Sequence, residues 1–426
     1  MKNLTFFTYS LGCRTNQAEI NQIGKELSEY GLTFSNKNPD IVLINTCVVT
    51  AKAEKETRKA IRHFRRLYPD AFLVVLGCGV DAKQRLKINL PEADLFVENV
   101  EKQKTACLLS QHFPLSKTKN FSFEDKYSLS NRALLKIQEG CNQFCSYCIV
   151  PFLRGKPKSV SPREIVQKIK NLERRGIKEV ILTGTNLALY GKDLKPKSCL
   201  LNLLGKILKE TRIEKISLSS IEPDLIDRNF AELFAKNRRL SAYFHLALQS
   251  GSFSVLQRMR RKTDLDQLLQ NLLWLKEKVP EFAFRADLLV GFPNESEEEF
   301  QETVEFIKKV KISFAHIFPF SKRPKTLAEK NIKEGVWQEI PVPVKKQRAK
   351  ILKEVVEKIR LQEGKKLIGA TLLCLFTQKE KGFWKGIANN SWPVKILSEE
   401  NLKGKLRGIK IIASNRDFLL GQLSRN

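Results

Sequence analysis

Residues Arg132–Gly155 read RALLKIQEGCNQFCSYCIVPFLRG, an apolar run that gives way after Gly140 to three closely spaced cysteines, Cys141, Cys145 and Cys148. The run Leu134–Gln138 has the pattern of a strand, and the Cys-x3-Cys-x2-Cys sequence follows its carboxyl end. Three thiolates this close can hold three irons of a [4Fe–4S] cube, which leaves the fourth iron open to a substrate or cofactor. Structural zinc would need a fourth ligand nearby, yet no His or Cys follows Cys148 within about 50 residues.

Downstream, strand patterns recur at Glu179–Leu182, Lys215–Leu218, Tyr243–Leu248, Arg285–Val290 and Phe314–Phe318. Helical patterns such as Pro162–Arg175 and Glu297–Lys309 separate them. Six β/α units predict a partial (β/α)6 barrel, open because a closed one takes eight. Upstream, the strand patterns Thr5–Ser10, Asp40–Asn45 and Phe72–Leu76 alternate with helical ones at Asn16–Tyr30 and Ala51–Tyr68. That alternation predicts a doubly wound parallel sheet. Cys13, Cys47 and Cys78 each stand just past the carboxyl end of one of these strands. Strand carboxyl ends share one edge of such a sheet, so all three thiols meet there and suit a second cluster.

After the basic helical stretch Pro341–Lys366, short runs at Thr371–Phe376, Val394–Leu397 and Ile409–Ile412 are punctuated by glycines. They predict a small C-terminal β-barrel. The expected division is a sheet domain over 1–115, a polar linker over 116–130, a half-barrel over 131–362 and the small barrel over 363–426.

Seventy-five Lys and Arg stand against 46 Asp and Glu, a formal charge of +29 that points first to nucleic acid. An anionic membrane comes second, but no stretch approaches the ~18 apolar residues of a span. Without a secretory leader pattern, the expected compartment is the cytoplasm, where thiols stay reduced. Nine cysteines, an odd number, argue against a disulfide framework, and four histidines offer little to ordinary zinc chemistry. Cys107, Cys199 and Cys374 lack partners and read as structural. Basic residues gather at Arg58-Lys59-Arg62-Arg65-Arg66, Arg258–Lys262, Lys322–Lys325 and Lys345–Lys350, as phosphate contacts or as solvated faces.

The segment Arg132–Gly155 resembles the radical S-adenosylmethionine superfamily, and Leu11–Asn16, Asn45–Thr50 and Gly77-Cys78 resemble the methylthiotransferase family within it. Leu182–Asn186, Ser219–Pro223, Leu248–Gly251, Val290–Pro293 and Phe318–Ser321 extend the likeness to about residue 330. The tail resembles a divergent TRAM domain, an RNA-binding β-barrel. One departure is Ser159-Val160, where many members have Ser-Arg.

The resemblance implies two [4Fe–4S] clusters, on Cys141, Cys145 and Cys148 and on Cys13, Cys47 and Cys78. Two molecules of S-adenosylmethionine would be used per turnover. Tyr147, Gly184, Asn186, Ser220, Glu222, Gln249 and Ser250 are the expected cofactor contacts, since barrel chemistry sits at strand carboxyl ends. A 5′-deoxyadenosyl radical would take hydrogen from C2 of an adenine in the anticodon stem-loop of tRNA, and sulfur and methyl would follow. An electron donor such as flavodoxin or ferredoxin and a sulfur donor are implied partners. Arg14-Thr15 after Cys13 resembles members acting on N6-threonylcarbamoyladenosine. Members acting on isopentenyladenosine, or on an aspartate of a ribosomal protein, are the alternatives. A non-catalytic iron–sulfur RNA-binding protein is the alternative from another class.

Overall fold

The computed structural model describes residues 4–117 and 131–424. Most of the expected linker lies outside the described residues.

The first unit is a five-stranded, all-parallel sheet in the order Thr33–Phe34, Thr5–Ser10, Ile41–Thr46, Phe72–Gly77, Leu95–Val97. Every residue of Ile41–Thr46 is buried, as a central parallel strand covered on both faces requires. Helix Arg14–Glu29 packs Ile20, Ile23 and Leu27 on one face, while Ala51–Leu67 packs Ala60, Ile61 and Phe64 on the other. The sheet is therefore doubly wound.

The second unit has six parallel β/α repeats. Arg132–Lys136, Glu179–Thr183 and Lys215–Leu218 form one sheet, and Ser220–Ile221, Tyr243–Gln249, Ala283–Val290 and Ile312–Pro319 form another. They join at Ser219, whose N–H still bonds Leu182 O at 2.9 Å, so the two read as one half-barrel. Alternate residues such as Val180, Leu182, Phe244, Leu246, Phe284 and Ala286 pack under the helices. The intervening positions, Arg132, Glu179, Lys215, Tyr243, His245, Arg285, Asp287 and His316, face the concave side. A polar lumen inside an apolar shell results.

Five strands, Thr371–Glu380, Phe383–Ala388, Pro393–Leu397, Leu406–Ser414 and Leu419–Leu423, close into a small barrel around Phe376, Trp392, Val394 and Ile396. It is fastened to the half-barrel where Lys215 Nζ donates to Ala388 O (3.2 Å) and Asn131 Nδ2 to Gly404 O (3.0 Å).

The sequence expectations differ in detail. The first barrel strand is Arg132–Lys136, because Gln138–Glu139 leave the sheet to pair antiparallel with Lys158–Ser159. Strands Phe383–Ala388 and Leu419–Leu423 went unforeseen, since Lys385, Gly386, Gly421 and Gln422 interrupt their apolar alternation.

At the amino-terminal end of the lumen, Glu179 is fully buried between Arg132 (2.6 Å), Lys215 (3.6 Å) and the Ser217 hydroxyl (2.5 Å). Burial opposes its charge, but Lys215 and Arg132 prevail and bring its pKa to about 2 from an ordinary 4.5. Glu179→Gln leaves the buried Lys215 ammonium without its carboxylate and is expected to lower stability by about 3–5 kcal/mol in urea titrations at neutral pH. The wild-type contribution should be intact above pH 4.5 and fade as the pH falls towards about 2; the Gln variant should show no such fading from this site.

Candidate active site between two cysteine triplets

The loop after Gln138–Glu139 carries the first triplet. Gly140 opens it at φ +75°, and a Cβ there would stand 2.1 Å from Lys156 O, so only glycine lets the chain turn. Cys141 N–H donates to Gly155 O (3.0 Å) and Cys148 N–H to Cys145 O (3.0 Å). Ser146 ties the loop to the half-barrel, its hydroxyl donating to Arg258 O (2.8 Å) and its N–H to Met259 O (3.1 Å). Phe144 holds a left-handed backbone (φ +48°) and projects a half-exposed ring.

Donors point at the sulfurs. Gln143 N–H lies 3.5 Å and Asn186 Nδ2 3.7 Å from Cys141 Sγ, and Arg261 Nη1 lies 3.8 Å from Cys145 Sγ. Burial pushes Cys145 up to about 11 and Cys148 up to about 12. Such thiols ionise only when a cationic centre takes them as ligands.

The second triplet crowns the parallel sheet. Cys47 and Cys78 are buried and Cys13 is exposed. Gly12, at φ +85°, lets the backbone approach so closely that a Cβ would meet Cys47 Sγ at 2.7 Å. Asn99 Nδ2 donates towards Cys78 Sγ (3.7 Å). Burial, then the neighbouring Cys78 and Cys13, push Cys47 up to about 12.

Arg154 joins the two sets of loops. From the helix Val150–Arg154 behind the first triplet, its guanidinium bonds Glu19 (2.8 Å), Glu139 (3.0 Å) and Asn16 Oδ1 (2.6 Å). Lys102 and Lys136 (3.0 Å) share Glu19. Burial weighs against the charge of Arg154, and Cys78, Glu19 and Cys13 more than restore it.

Neither triplet has its three sulfurs all within 4.8 Å of one another; among the described residues, only His245, Asp287 and His316 form such a group. A single tetrahedral metal would hold its sulfurs roughly 3.8 Å apart, from Zn–S bonds of ~2.3 Å. A cubane spreads its ligands wider, so the spacing of the sulfurs does not suit a single tetrahedral ion and leaves a cluster open to each triplet. The ionic network beside the second triplet has three cations, Arg154, Lys102 and Lys136, against two carboxylates, Glu19 and Glu139. That surplus complements the single negative charge of an oxidised [4Fe–4S] core with three thiolates.

Residues 135–307 match the family model of the radical SAM superfamily, and residues 5–98 match that of the uncharacterized protein family UPF0004. The threonylcarbamoyladenosine tRNA methylthiotransferase MtaB of Aquifex aeolicus is 35% identical, over 87% of this chain and 92% of its own. The protein of the same name in Bacillus subtilis is 31% identical over 98% and 96%. This chain belongs to the radical SAM methylthiotransferase family. Its family implies a [4Fe–4S] cluster and S-adenosylmethionine. A tRNA-2-methylthio-N(6)-dimethylallyladenosine synthase of Clostridium botulinum is 30% identical over 98% and 96%. The fold is shared with TsrM, a radical S-adenosylmethionine methyltransferase from Kitasatospora setae, at TM-score 0.54 and 12% identity, over 90% of this chain and 81% of that one.

The cofactor contacts expected for this methylthiotransferase fall differently. Asn186 touches Cys141, and Glu222 pairs with Arg261, which reaches Cys145. Gly184 packs closely on Gln138 and Leu187, where a Cβ would stand 3.0 Å from both side chains. Tyr147 is partly buried, its ring edge-on to Phe292. Gln249 has a left-handed backbone and a buried Oε1 without a partner. Ser220 donates to Asp287 (3.1 Å), and Ser250 shares a hydrogen bond with Thr303 (3.0 Å) on the helix Glu297–Val310.

Sequence reading placed Arg261 in a basic cluster and in the family-like stretch Met259–Arg261 without a role at the site, and gave Arg154, Asn99, Glu19 and Lys102 no role. Arg154 lay within the matched segment, but nothing in spacing pairs it with Glu19. Of the basic clusters, Lys345, Arg348 and Arg323 are buried in ion pairs with Glu339, Glu295 and Glu54. Arg62, Arg66, Lys262, Lys322 and Lys346 remain exposed. Cys374 is a core residue of the small barrel, whereas Cys107 and Cys199 are exposed and fill no core.

Removing Arg154 leaves Glu19 buried with only two lysines. Arg154→Met is expected to lower stability by about 3–5 kcal/mol in urea titrations. Arg154→Lys should recover only part, since one ammonium cannot serve Glu19, Glu139 and Asn16 together.

Proposed function

We propose that this methylthiotransferase converts N6-threonylcarbamoyladenosine in the anticodon stem-loop of tRNA to its 2-methylthio derivative. The observation that carries the reading is the meeting of two cysteine triplets, one from each unit, across the buried Arg154 network. Cys141, Cys145 and Cys148 would hold the cluster that binds and reduces S-adenosylmethionine, and Cys13, Cys47 and Cys78 a second one that presents sulfur. When bound, these groups supply the radical, sulfur and methyl chemistry for a C–H bond that no side-chain base could ionise.

The chain's own residues position and shield. Asn186, Gln143 and Arg261 orient the first triplet, and Asn99 and Arg154 serve the second. Relatives named for threonylcarbamoyladenosine and the Arg14-Thr15 pair favour that substrate over isopentenyladenosine. The +29 charge favours RNA over a ribosomal-protein aspartate. A flavodoxin- or ferredoxin-type electron donor and a separate sulfur source would complete the system in the cytoplasm, where tRNA is modified. No helix among the described residues is long and apolar enough to cross a membrane.

Cys13→Ala should lower bound iron from about eight to about four per chain. That variant should still release 5′-deoxyadenosine under reduction but make no methylthionucleoside by mass spectrometry of stem-loop RNA. Product at the wild-type rate would overturn the second cluster's role. The logarithm of tRNA affinity should fall steeply with the logarithm of salt, and Arg62→Glu with Arg66→Glu should flatten that slope.

A further inference from the structure

The deeper lumen gathers arginines round one aromatic ring. Arg285, on the concave side of Ala283–Val290, lays its guanidinium 4.5 Å from the centre of the Phe314 ring. Arg360, from helix Val342–Lys366, lies 4.3 Å from the same ring and 5.8 Å from Trp392. Arg14, the residue after Cys13, reaches in from the sheet domain, its Nη1 3.4 Å from Leu218 O. Arg14 and Arg360 each lie near enough to act on Arg285: burial, then these two charges, depress its pKa, against the pull of Tyr243.

Arg285 and Arg360 donate to neutral partners. Arg285 Nη1 donates to Ser391 Oγ (3.0 Å), and Arg360 Nη2 donates to Asp417 O (2.9 Å). Arg360 Nε is buried without a partner. Among the described residues, no carboxylate lies within ion-pair distance of Arg285 or Arg360. The nearest lumen carboxylate is engaged elsewhere: Asp287 is bonded by His245 (2.9 Å), His316 (3.1 Å) and Ser220 (3.1 Å). Those histidine bonds outweigh its burial and hold it well below the usual carboxylate range, so it stays charged and occupied. By contrast, Glu179 is matched by Arg132 and Lys215.

Half-buried arginines without an ion pair, as Arg285 and Arg360 are, are costly unless an anion arrives, and planar guanidinium groups suit a carboxylate in particular. The threonyl substituent on N6 ends in a carboxylate a few bonds from the purine, and its hydroxyl and methyl can lie on an aromatic wall. An isopentenyl group offers the arginines nothing. We propose that Arg285 and Arg360, set round Phe314, with Arg14 reaching in beside Leu218 and Tyr243, form the receptor for the carboxylate of the N6 substituent and so select an amino-acid-modified adenosine. The proposal rests on the function read above and names the residues that choose its substrate. Arg14 links the two tasks, because it follows a cysteine of the sulfur-presenting triplet directly in the chain.

The test uses the cluster-loaded enzyme and three fluorescent anticodon stem-loops. One carries N6-threonylcarbamoyladenosine, one its neutral carboxamide and one unmodified adenosine. The wild type should bind the acid at least about tenfold more tightly than the carboxamide, as a charged hydrogen-bond pair implies. Arg285→Gln and, separately, Arg360→Gln should erase that preference while leaving affinity for the unmodified stem-loop unchanged. Arg285→Lys should restore part of it, and in turnover Arg285→Gln should raise KM with little change in kcat. Equal wild-type affinity for acid and carboxamide would overturn the receptor, whatever the variants do. A uniform weakening across all three RNAs in the variants would also overturn it, marking a phosphate contact or a folding defect. Methylthiolation of an isopentenyl stem-loop but not of the threonylcarbamoyl one would instead refute the function itself.

Discussion

The buried pairing of Arg154 with Glu19 is the constraint on which the rest of the structure depends. Glu19 sits on the first helix of the sheet domain, and Arg154 on the short helix behind the cysteine loop of the half-barrel. Both side chains are almost completely excluded from water. Burial alone would drive the carboxyl to its neutral form, but Arg154, Lys102 and Lys136 hold it ionised. Separating the two units would strip each charge of its partners, so the network sets their register through the penalty for breaking it. Because Asn16 and Glu139 join the same network, that register also fixes the loops bearing Cys13 and Cys141.

Two parallel sheets bring their carboxyl edges together, and the chemistry of each edge follows from topology. Strands within a parallel sheet all end on the same side, so residues far apart in sequence share a rim. In the sheet domain that rim carries one cysteine from each of three strands. In the half-barrel it carries the cysteine loop, Asn186, Glu222 and Gln249. Below the rim the lumen is lined by charge, which a packed apolar barrel would not tolerate. Its ion pairs and hydrogen bonds account for Glu179 and Asp287, while the arginines round Phe314 are left for an incoming anion.

Much of this was legible in the residues. Strands such as Ile41–Thr46 and Phe72–Gly77 announce themselves by nearly continuous apolar runs, because central parallel strands are covered on both faces. The phase of Cys13, Cys47 and Cys78 against their strands disclosed a shared rim for the same reason. Strands of the small barrel were harder, since Phe383–Ala388 and Leu419–Leu423 mix Lys, Gln and Gly into short alternating segments whose pairing comes from barrel closure. Lys345 and Arg348 looked like an RNA-facing patch, and only the packing of their helix showed both to be buried ion-pair partners.

By itself the sequence determined the two cysteine triplets, the parallel strand order that each needs, and the excess of positive charge, because these depend on residue type and local period. Tertiary structure decided which charges cancel. Glu19 meets Arg154 across the two units, Asp287 is claimed by two histidines from neighbouring strands, and Arg285 and Arg360 converge on Phe314 with no carboxylate of the described residues in ion-pair reach. Electrostatic partnership falls off with distance in space and is indifferent to distance along the chain, so no pattern in the sequence could have assigned it.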